Sequence, residues 1–299
     1  MTLTGPFREP AQMLAEQSYG GHKSVHDAQS AATLGLRGAP IEGPTHFSQF
    51  EPLAAAVWGD RWFTHGCISA HFQNMVIEGE QVQAQLTLDG PGATAGRIDA
   101  QKADGTPVLT GTASIGPDHG ETALSTRLAD AQAKSPGVLH IIDQMRVGQR
   151  GSHAESVKVN FDDHLGDFYP FTLRQKLATI TENITFHAEG ASTPWGSPVL
   201  PFEMLSVLTN AFSKDAGFVA RQPSVGLFID LEVRMIDGPV LVGHEYRLER
   251  ELVALGQSKR TESYWTRTTL FDGDRAVAEV LLHQGVFKAS YADYPADAA

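Results

Sequence analysis

The sequence predicts an α+β fold in which two central helices are each wrapped by an antiparallel sheet. A Gly-x-Pro-aliphatic tetrapeptide precedes an apolar run twice, at 38–41 and at 196–199. Strand-like stretches then follow in the same order, with matching turns such as Asp104-Gly105 and Asp272-Gly273. The offset between the two copies grows from roughly 158 to roughly 168 residues, which indicates a duplication followed by small loop insertions.

The first unit is expected to span residues 1–117, opening with a short helix at 9–17 before a Gly20-Gly21 break. Its central helix is predicted at 44–58, because Pro44 suits a first helical turn and apolar residues recur at helical spacing until Gly59. Turn residues then separate four expected strands, at 67–77, 81–88, 93–102 and 108–115.

A polar linker is expected at 118–150, with a helix-compatible stretch at 123–134, and the second unit at 151–299. The apolar stripe that ends at Phe212 predicts the second central helix at 201–213. Apolar and charged residues alternate over 227–235, which predicts a strand with one face exposed to solvent. Three further strands are expected at 246–255, 261–271 and 275–287. Joining the two sheets edge to edge would hide strand ends that otherwise invite aggregation.

Composition excludes several classes of function. The 299 residues carry a formal net charge of −12 and no run of Lys or Arg, which argues against a nucleic-acid partner. No apolar stretch approaches the ~20 residues of a membrane helix, and the N-terminus lacks the apolar core of a signal peptide. A cytoplasmic protein without a membrane partner is therefore expected. The single Cys67 cannot form an internal disulfide and is expected to be a small buried side chain.

The segments that open the first central helix resemble the MaoC-like acyl-CoA hydratase and dehydratase group of double hotdog proteins. That family carries Gly-Asp-x-Asn-Pro-x-His-x-Asp and then an approach of the type Gly-x-Pro-Ile-x-x-Gly. Residues 35–43 are similar to this approach, and His26 aligns with the family histidine. Gly21 replaces the family aspartate and Lys23-Ser24 replace Asn-Pro, so the catalytic motif is degenerate. The resemblance implies a double hotdog fold over most of the chain.

The resemblance also implies roles for residues of the first unit. In the family an Asp and a His share one water and move its protons, while backbone N–H groups at the start of the central helix bind the thioester oxygen. Here His26 is either the base, with Asp27 as a possible orienting group, or a polar loop histidine. His46 is a second catalytic candidate or a surface histidine. Gly38, Gly43 and Thr45 are the expected substrate-binding positions.

The second copy offers a separate set of candidates. Glu203 occupies the place of Thr45, as an acidic residue does in some hotdog thioesterases, although the helix dipole alone favours Glu in a first turn. His187 would be its partner, Gly196 would supply the helix approach, and Asn210 is a further polar residue on the helix. Several aromatic residues near the helix ends either line an acyl pocket or belong to the core: Trp58, Trp62, Phe63, Trp195 and Phe202.

Other site chemistries have little support in the sequence. His22 and His26 are four apart, a spacing that on a helix suits a metal, but no third ligand is indicated and no metal is expected. There is no Gly-x-Ser-x-Gly elbow, Walker loop or dinucleotide-binding Gly motif.

Three functions remain. The favoured one is a 2-enoyl-CoA hydratase or dehydratase with an altered site; the alternatives are an acyl-CoA thioesterase using Glu203 or His26, and a non-catalytic acyl-thioester binding protein. Coenzyme A is expected only as part of the substrate, not as a cofactor. The ligand pocket is expected at the seam between the units, bounded by the starts of both central helices, with His26, His46 and Glu203 in reach. A homodimer is expected, and a mass near 32 kDa in solution would contradict it.

Overall fold

The structure is a computed structural model that describes residues 1–19, 22–151, 155–180, 182, 185–211 and 217–295. Within these ranges the strands are β1 (Thr2–Thr4), β2 (Ser18–Tyr19), β3 (His22–Lys23), β4 (Gly66–Phe72), β5 (Val82–Leu88), β6 (Ala95–Lys102), β7 (Pro107–Ile115), β8 (Glu155–Val157), β9 (Gly226–Met235), β10 (Tyr246–Gln257), β11 (Thr261–Asp272) and β12 (Arg275–Phe287). The α-helices are α1 (Ala28–Thr33), α2 (Phe47–Trp58), α3 (Arg61–His65), α4 (Ala123–Gln132), α5 (Leu173–Thr179) and α6 (Phe202–Asn210).

One antiparallel sheet contains ten of these strands, in the order β1-β5-β6-β7-β4-β9-β12-β11-β10-β8. Each half repeats one plan, since β4, β5, β6 and β7 correspond in position to β9, β10, β11 and β12. The halves meet where β4 pairs with β9, with Ile68 opposite Val233 and Ala70 opposite Leu231. The predicted edge-to-edge joining of the two sheets is therefore confirmed.

The two central helices lie in one core with the sheet. Helix α2 buries Phe47, Phe50 and Ala54, and a 3₁₀ turn at Gly43–His46 precedes it. Helix α6 buries every residue from Phe202 to Thr209, because it packs against α2 as well as against the sheet. The prediction of both helices is confirmed, although positions 212 and 213 of the second lie outside the described residues.

The linker helix α4 lies on the opposite face of the sheet. Leu124 and Leu128 pack on Trp265 and Leu281 there, and the Leu124 amide donates to Ser69 Oγ at 2.9 Å. The predicted helix at 123–134 is confirmed and covers part of the outer face. The proposed unit boundaries at 117 and 151 remain a prediction.

The predicted helix at 9–17 is wrong. This segment is irregular, and Arg8 bridges to Val82 beside β5. The Gln12 side chain accepts from the Leu14 amide at 2.9 Å and donates to the Pro40 carbonyl at 2.7 Å, so local side-chain bonds replace the helical ladder. Gly20 and Gly21 lie outside the described residues. In the part of the chain that is described, no helix is long and apolar enough to cross a bilayer.

Candidate functional site

A cavity of about 960 Å³ lies between the two units. The first unit contributes the start of its central helix, through Gly43 and His46, and the end of β4, through Phe72. The second unit contributes the end of α6, at Asn210, and the beginning of β9, at Phe228. The cavity therefore lies at the seam, but the second central helix meets it with its end and not with its start. A volume of this size is ample for an acyl chain.

His26 lines the cavity from the loop before α1. Its Nδ1 lies 2.7 Å from the Pro40 carbonyl oxygen. Since a carbonyl can only accept, the proton of the neutral ring belongs on Nδ1, and Nε2 keeps its lone pair. Burial lowers the pKa of His26 to about 4, so the ring is neutral and basic at physiological pH.

Asp27 does not orient His26. Its carboxylate caps α1, accepting from the Ser30 amide at 2.8 Å and the Ser30 hydroxyl at 3.0 Å. The Pro40 carbonyl takes the orienting role that a carboxylate would otherwise fill. The predicted pairing of these two neighbours fails because the Asp27 carboxylate is bound at the first turn of α1.

His46 closes the 3₁₀ turn and lines the same cavity. Its side chain is buried, and Gln49 Nε2 lies 3.5 Å from its Nδ1. Burial, followed by the charges of Lys176 and Lys102, lowers the pKa of His46 to about 4. Two neutral imidazoles therefore lie on the wall of one cavity.

The start of the helical turn supplies a backbone donor. Gly43 is the first residue of the turn, where an amide has no intrahelical partner. A Cβ at this position would lie 3.0 Å from the Phe72 ring, so a larger residue here would have to displace that ring. The Thr45 amide, by contrast, already donates to the Glu42 carbonyl at 3.2 Å.

Glu42 is the cavity residue that carries an unsatisfied carboxyl group. It is 6% exposed and lines the cavity, and its Oε1 has no hydrogen-bond partner within the described structure. Burial raises the pKa of Glu42, and the nearby Lys176 ammonium opposes this shift. A buried carboxyl with a free oxygen on a cavity wall is suited to exchange a proton with a bound molecule.

Behind Glu42 lies a buried ion cluster that connects the two units. Lys176 Nζ, from α5, donates to Thr45 Oγ1 at 2.9 Å and lies 3.3 Å from Glu203 Oε1 and 3.7 Å from Glu42 Oε2. Ser48 Oγ donates to Glu203 Oε2 at 2.6 Å. Burial opposes the charge of Lys176, but the two carboxylates outweigh it and raise the pKa of Lys176.

Glu203 does not reach the cavity. Its side chain is 1% exposed and is absent from the cavity wall. Burial raises the pKa of Glu203 to about 7, against the opposing effects of Lys176 and Ser48. If both carboxyl groups were ionised, the single ammonium would leave the cluster with one excess negative charge. A proton held by one of the two carboxyl groups near neutral pH removes that excess.

The start of α6, which is the counterpart of the cavity wall in the second unit, is filled by aromatic side chains. Trp62 of α3 stacks on Phe202 with ring centroids 4.7 Å apart, and Trp58 stacks on Trp62 at 5.7 Å. Phe63 packs edge-on against Phe186 and beside Trp195. These aromatic side chains are therefore part of the hydrophobic core at this position.

His187 lies within this filled region and is 4% exposed. Its Nδ1 lies 2.7 Å from the Val199 carbonyl oxygen and its Nε2 lies 2.7 Å from Glu51 Oε1. Both nitrogens are therefore occupied. Burial lowers the pKa of His187 but Glu51 outweighs it, so the pKa is raised and the pair resembles an ion pair that joins α2 to the second unit.

The remaining predicted positions lie away from the cavity wall. Gly38 packs against Ile77, whose Cγ2 would lie 3.1 Å from a Cβ, and Gly196 forms a turn at φ +78°. His22 lies on β3 with its Nε2 2.7 Å from Gln222 Oε1, so it does not share a helix with His26 and the spacing that suggested a metal loses its basis.

Two residues of this arrangement were not identified as functional candidates from sequence. Glu42 lies inside the 35–43 segment that resembles the family's helix approach, and its position between Pro40 and Gly43 was the available signal. Lys176 lies in a segment without any motif, and its role depends on a contact across more than 130 residues. No local pattern could have found it.

Solved structures share this fold over nearly the whole chain. A MaoC domain protein of Chloroflexus aurantiacus, named as a dehydratase, has a TM-score of 0.56 at 14% identity, covering 96% of this chain and 94% of that one. A protein named as a MaoC-like dehydratase gives 0.51 at 14% identity, over 96% and 97% of the chains. A Mycobacterium tuberculosis protein described as a double hotdog gives 0.54 at 14% identity, over 95% and 96%.

At this identity the likeness establishes the fold. The chain has a double hotdog fold, and the resemblance to MaoC-like proteins inferred from the sequence is confirmed at that level. No family model matches the sequence, and no curated protein matches it.

Proposed function

We propose that this protein is a 2-enoyl-CoA hydratase or dehydratase that works at the large cavity between its units. The observation that carries the proposal is that a neutral histidine and a buried carboxyl group with an unpaired oxygen line the same cavity. His26 supplies the base and Glu42 supplies the acid, in place of the Asp and His of the family motif.

The chemistry requires two groups with different proton affinities. In the hydration direction, His26 Nε2 takes a proton from water as the water oxygen bonds to C3 of the enoyl chain. Protonated Glu42 gives a proton to C2 as the double bond is lost. Water is thus added across C2 and C3 with no other reactant, and transfer of the proton from His26 to Glu42 restores the site.

The thioester carbonyl gains negative charge as C3 is attacked. The Gly43 amide and the positive end of the helix dipole at this turn favour that charge. The neutral ring of His46 lies on the same wall and is a second candidate donor. These groups are fixed before the substrate arrives, because the turn is anchored to β4 by the Gly43 and Phe72 contact.

The buried cluster holds Glu42 in place. Lys176 lies beside Oε2 of Glu42, while Oε1 has no hydrogen-bond partner within the described residues. Glu203 shares the same ammonium and is assigned a positioning role, since its side chain lies behind the cavity wall. Coenzyme A enters in this proposal only as the carrier of the substrate.

The test is incubation with matched saturated and 2-enoyl CoA thioesters, following enoyl absorbance and free thiol separately. Loss of enoyl absorbance without thiol release supports hydration. Thiol release from both substrates would replace the proposal with a thioesterase. Tight binding without either change would replace it with an acyl-thioester binding protein.

A further inference from the structure

A second, smaller cavity of about 310 Å³ adjoins the large one, and the Phe287 ring lines both. Three cationic residues and two tyrosines line it: Lys259, Arg260, Lys288, Tyr291 and Tyr294. Leu34, at the end of α1, closes another side. The small cavity therefore lies beside the loop and helix that carry His26 into the large cavity.

Hydrogen bonds fix the backbone that carries these cations. In the turn between β10 and β11, Ser258 Oγ accepts from the amides of Arg260 and Thr261 at 3.2 and 3.1 Å. The Lys288 amide donates to the Arg260 carbonyl at 3.0 Å, which ties this turn to the segment after β12. A ligand would meet a wall that is already formed.

The charges of this wall are unusual in a protein of net charge −12. Other cations near the surface have carboxylate partners, as Arg37 has Glu80 and Arg221 has Asp143. In the described part of the chain, Lys259 and Arg260 form no ion pair with a carboxylate. Arg260 instead lies over the Phe287 ring at 5.8 Å, and Lys288 lies 5.4 Å from the Tyr294 ring.

Cations beside aromatic rings suit a ligand with phosphates and a flat base. Lys and Arg bind phosphate oxygens through charge-assisted hydrogen bonds, and aromatic side chains stack on nucleobases. Because Phe287 lines both spaces, a ligand that extends past this residue would occupy both cavities. An acyl thioester of CoA has this composition: an apolar chain, a narrow arm and a phosphorylated adenosine end.

We infer that the small cavity binds the 3′-phosphorylated adenosine diphosphate end of the CoA thioester, with the acyl chain in the large cavity. This inference rests on the proposed function for the identity of the whole ligand. It assigns Lys259 and Arg260 to binding and not to chemistry. It also commits the carrier to free CoA, since a carrier protein presents no adenosine.

The first experiment measures binding without turnover. Calorimetry with adenosine 3′,5′-bisphosphate is applied to the intact protein, to the double variant Lys259→Glu with Arg260→Glu, and to Lys158→Glu. Lys158 is an exposed lysine directly after β8, beside the start of β10 and so at the opposite end of that strand from the Lys259-Arg260 turn, and it serves as the control for a charge reversal elsewhere on the surface. Binding that weakens with salt and falls about tenfold or more in the double variant alone is expected. Equal binding by all three proteins would overturn the inference.

The second experiment compares a CoA thioester with the N-acetylcysteamine thioester of the same acyl chain, which lacks the nucleotide. The double variant should raise KM for the CoA thioester by about tenfold or more, leave kcat unchanged, and leave both constants unchanged for the truncated substrate. An unchanged KM for the CoA thioester would overturn the inference, as would a preference for acyl carrier protein that the double variant abolishes. Bisphosphate binding without turnover of any thioester would leave the small site standing and reject the proposed function alone.

Discussion

His26 is the residue on which the proposed chemistry depends most. The Pro40 carbonyl fixes its tautomer, and the residue lines the cavity. We expect His26→Ala to reduce turnover by about 10²- to 10⁴-fold while the fold is retained, which is the usual cost of a lost general base. Steady-state rates with a 2-enoyl-CoA substrate, together with circular dichroism, measure this.

The matched control for that variant is Asp27→Asn, which removes the neighbouring charge but keeps a side chain that caps α1. It should retain nearly full activity. Equal losses in both variants would show that the loop, and not the imidazole, is what matters.

The pH dependence of the rate tests the same nitrogen. Because burial lowers the pKa of His26 to about 4, the base stays unprotonated as the pH falls through the range where an ordinary histidine would titrate. We expect kcat/KM to decline on the acid side only near pH 4. An acid limb near pH 6.5 in the free enzyme, the value of an ordinary histidine, would be inconsistent with a buried base.

Lys176 is expected to control stability through the two carboxyl groups it contacts. In Lys176→Met, Glu42 and Glu203 lose their cation, so both must hold a proton in the folded state. An acid with a raised folded-state pKa loses stabilisation as the pH rises above its unfolded value near 4.3. We expect a loss of about 3–5 kcal/mol at neutral pH that shrinks toward pH 5, measured by urea unfolding. The exposed Lys158→Met is the control, and a loss independent of pH would contradict the ionic account.

At the scale of elements, helix α3 distinguishes the two units. In the chain after α2, Trp62 and Phe63 turn inward and fill the space at the start of α6. The corresponding space at the start of α2 is the large cavity. The duplicated architecture therefore carries one open site and one packed site.

Trp62→Ala tests this asymmetry. The side chain is 1% exposed, so its removal should cost about 3–5 kcal/mol of unfolding free energy through the cavity it leaves. KM for a CoA thioester should not change, because Trp62 does not line the large cavity. Trp195→Ala, at a half-buried position of the same cluster, should cost less. Unaltered stability in Trp62→Ala would mean that this region is not packed core.

The regular elements could be predicted from sequence because their periodicity is local. The alternating burial of Val82–Leu88 and the helical stripe from Phe47 to Trp58 follow directly from the spacing of apolar residues. The helix expected at 9–17 fails because Gln12 makes bonds to the Pro40 carbonyl, which no local pattern encodes.

The candidate site was predictable only in part. His26 and His46 stand near a recognisable helix approach, and both line the cavity. The exclusion of Glu203 from the cavity wall and the role of Lys176 depend on contacts between distant segments, as in the Lys176 and Thr45 bond. Whether a polar residue faces a cavity or a buried ion cluster is decided by tertiary packing, not by its place in a first turn.

For the molecule as a whole, the sheet runs through both units with only short strands at its edges. Strands β1 and β8 have three residues each, which limits pairing with other chains at either edge. The two hotdog units pair within one chain, and both contribute residues that line the cavity at the seam. The homodimer stays a prediction.

The central claim is that this one cavity adds water to a 2-enoyl thioester, and the most direct measurement is mass spectrometry of the product formed in ¹⁸O-labelled water. We expect the intact thioester to gain one labelled water, with the label at C3, and His26→Ala to abolish the gain. Recovery of free CoA with the label in a released carboxylic acid, or of unaltered 2-enoyl thioester, would contradict the account.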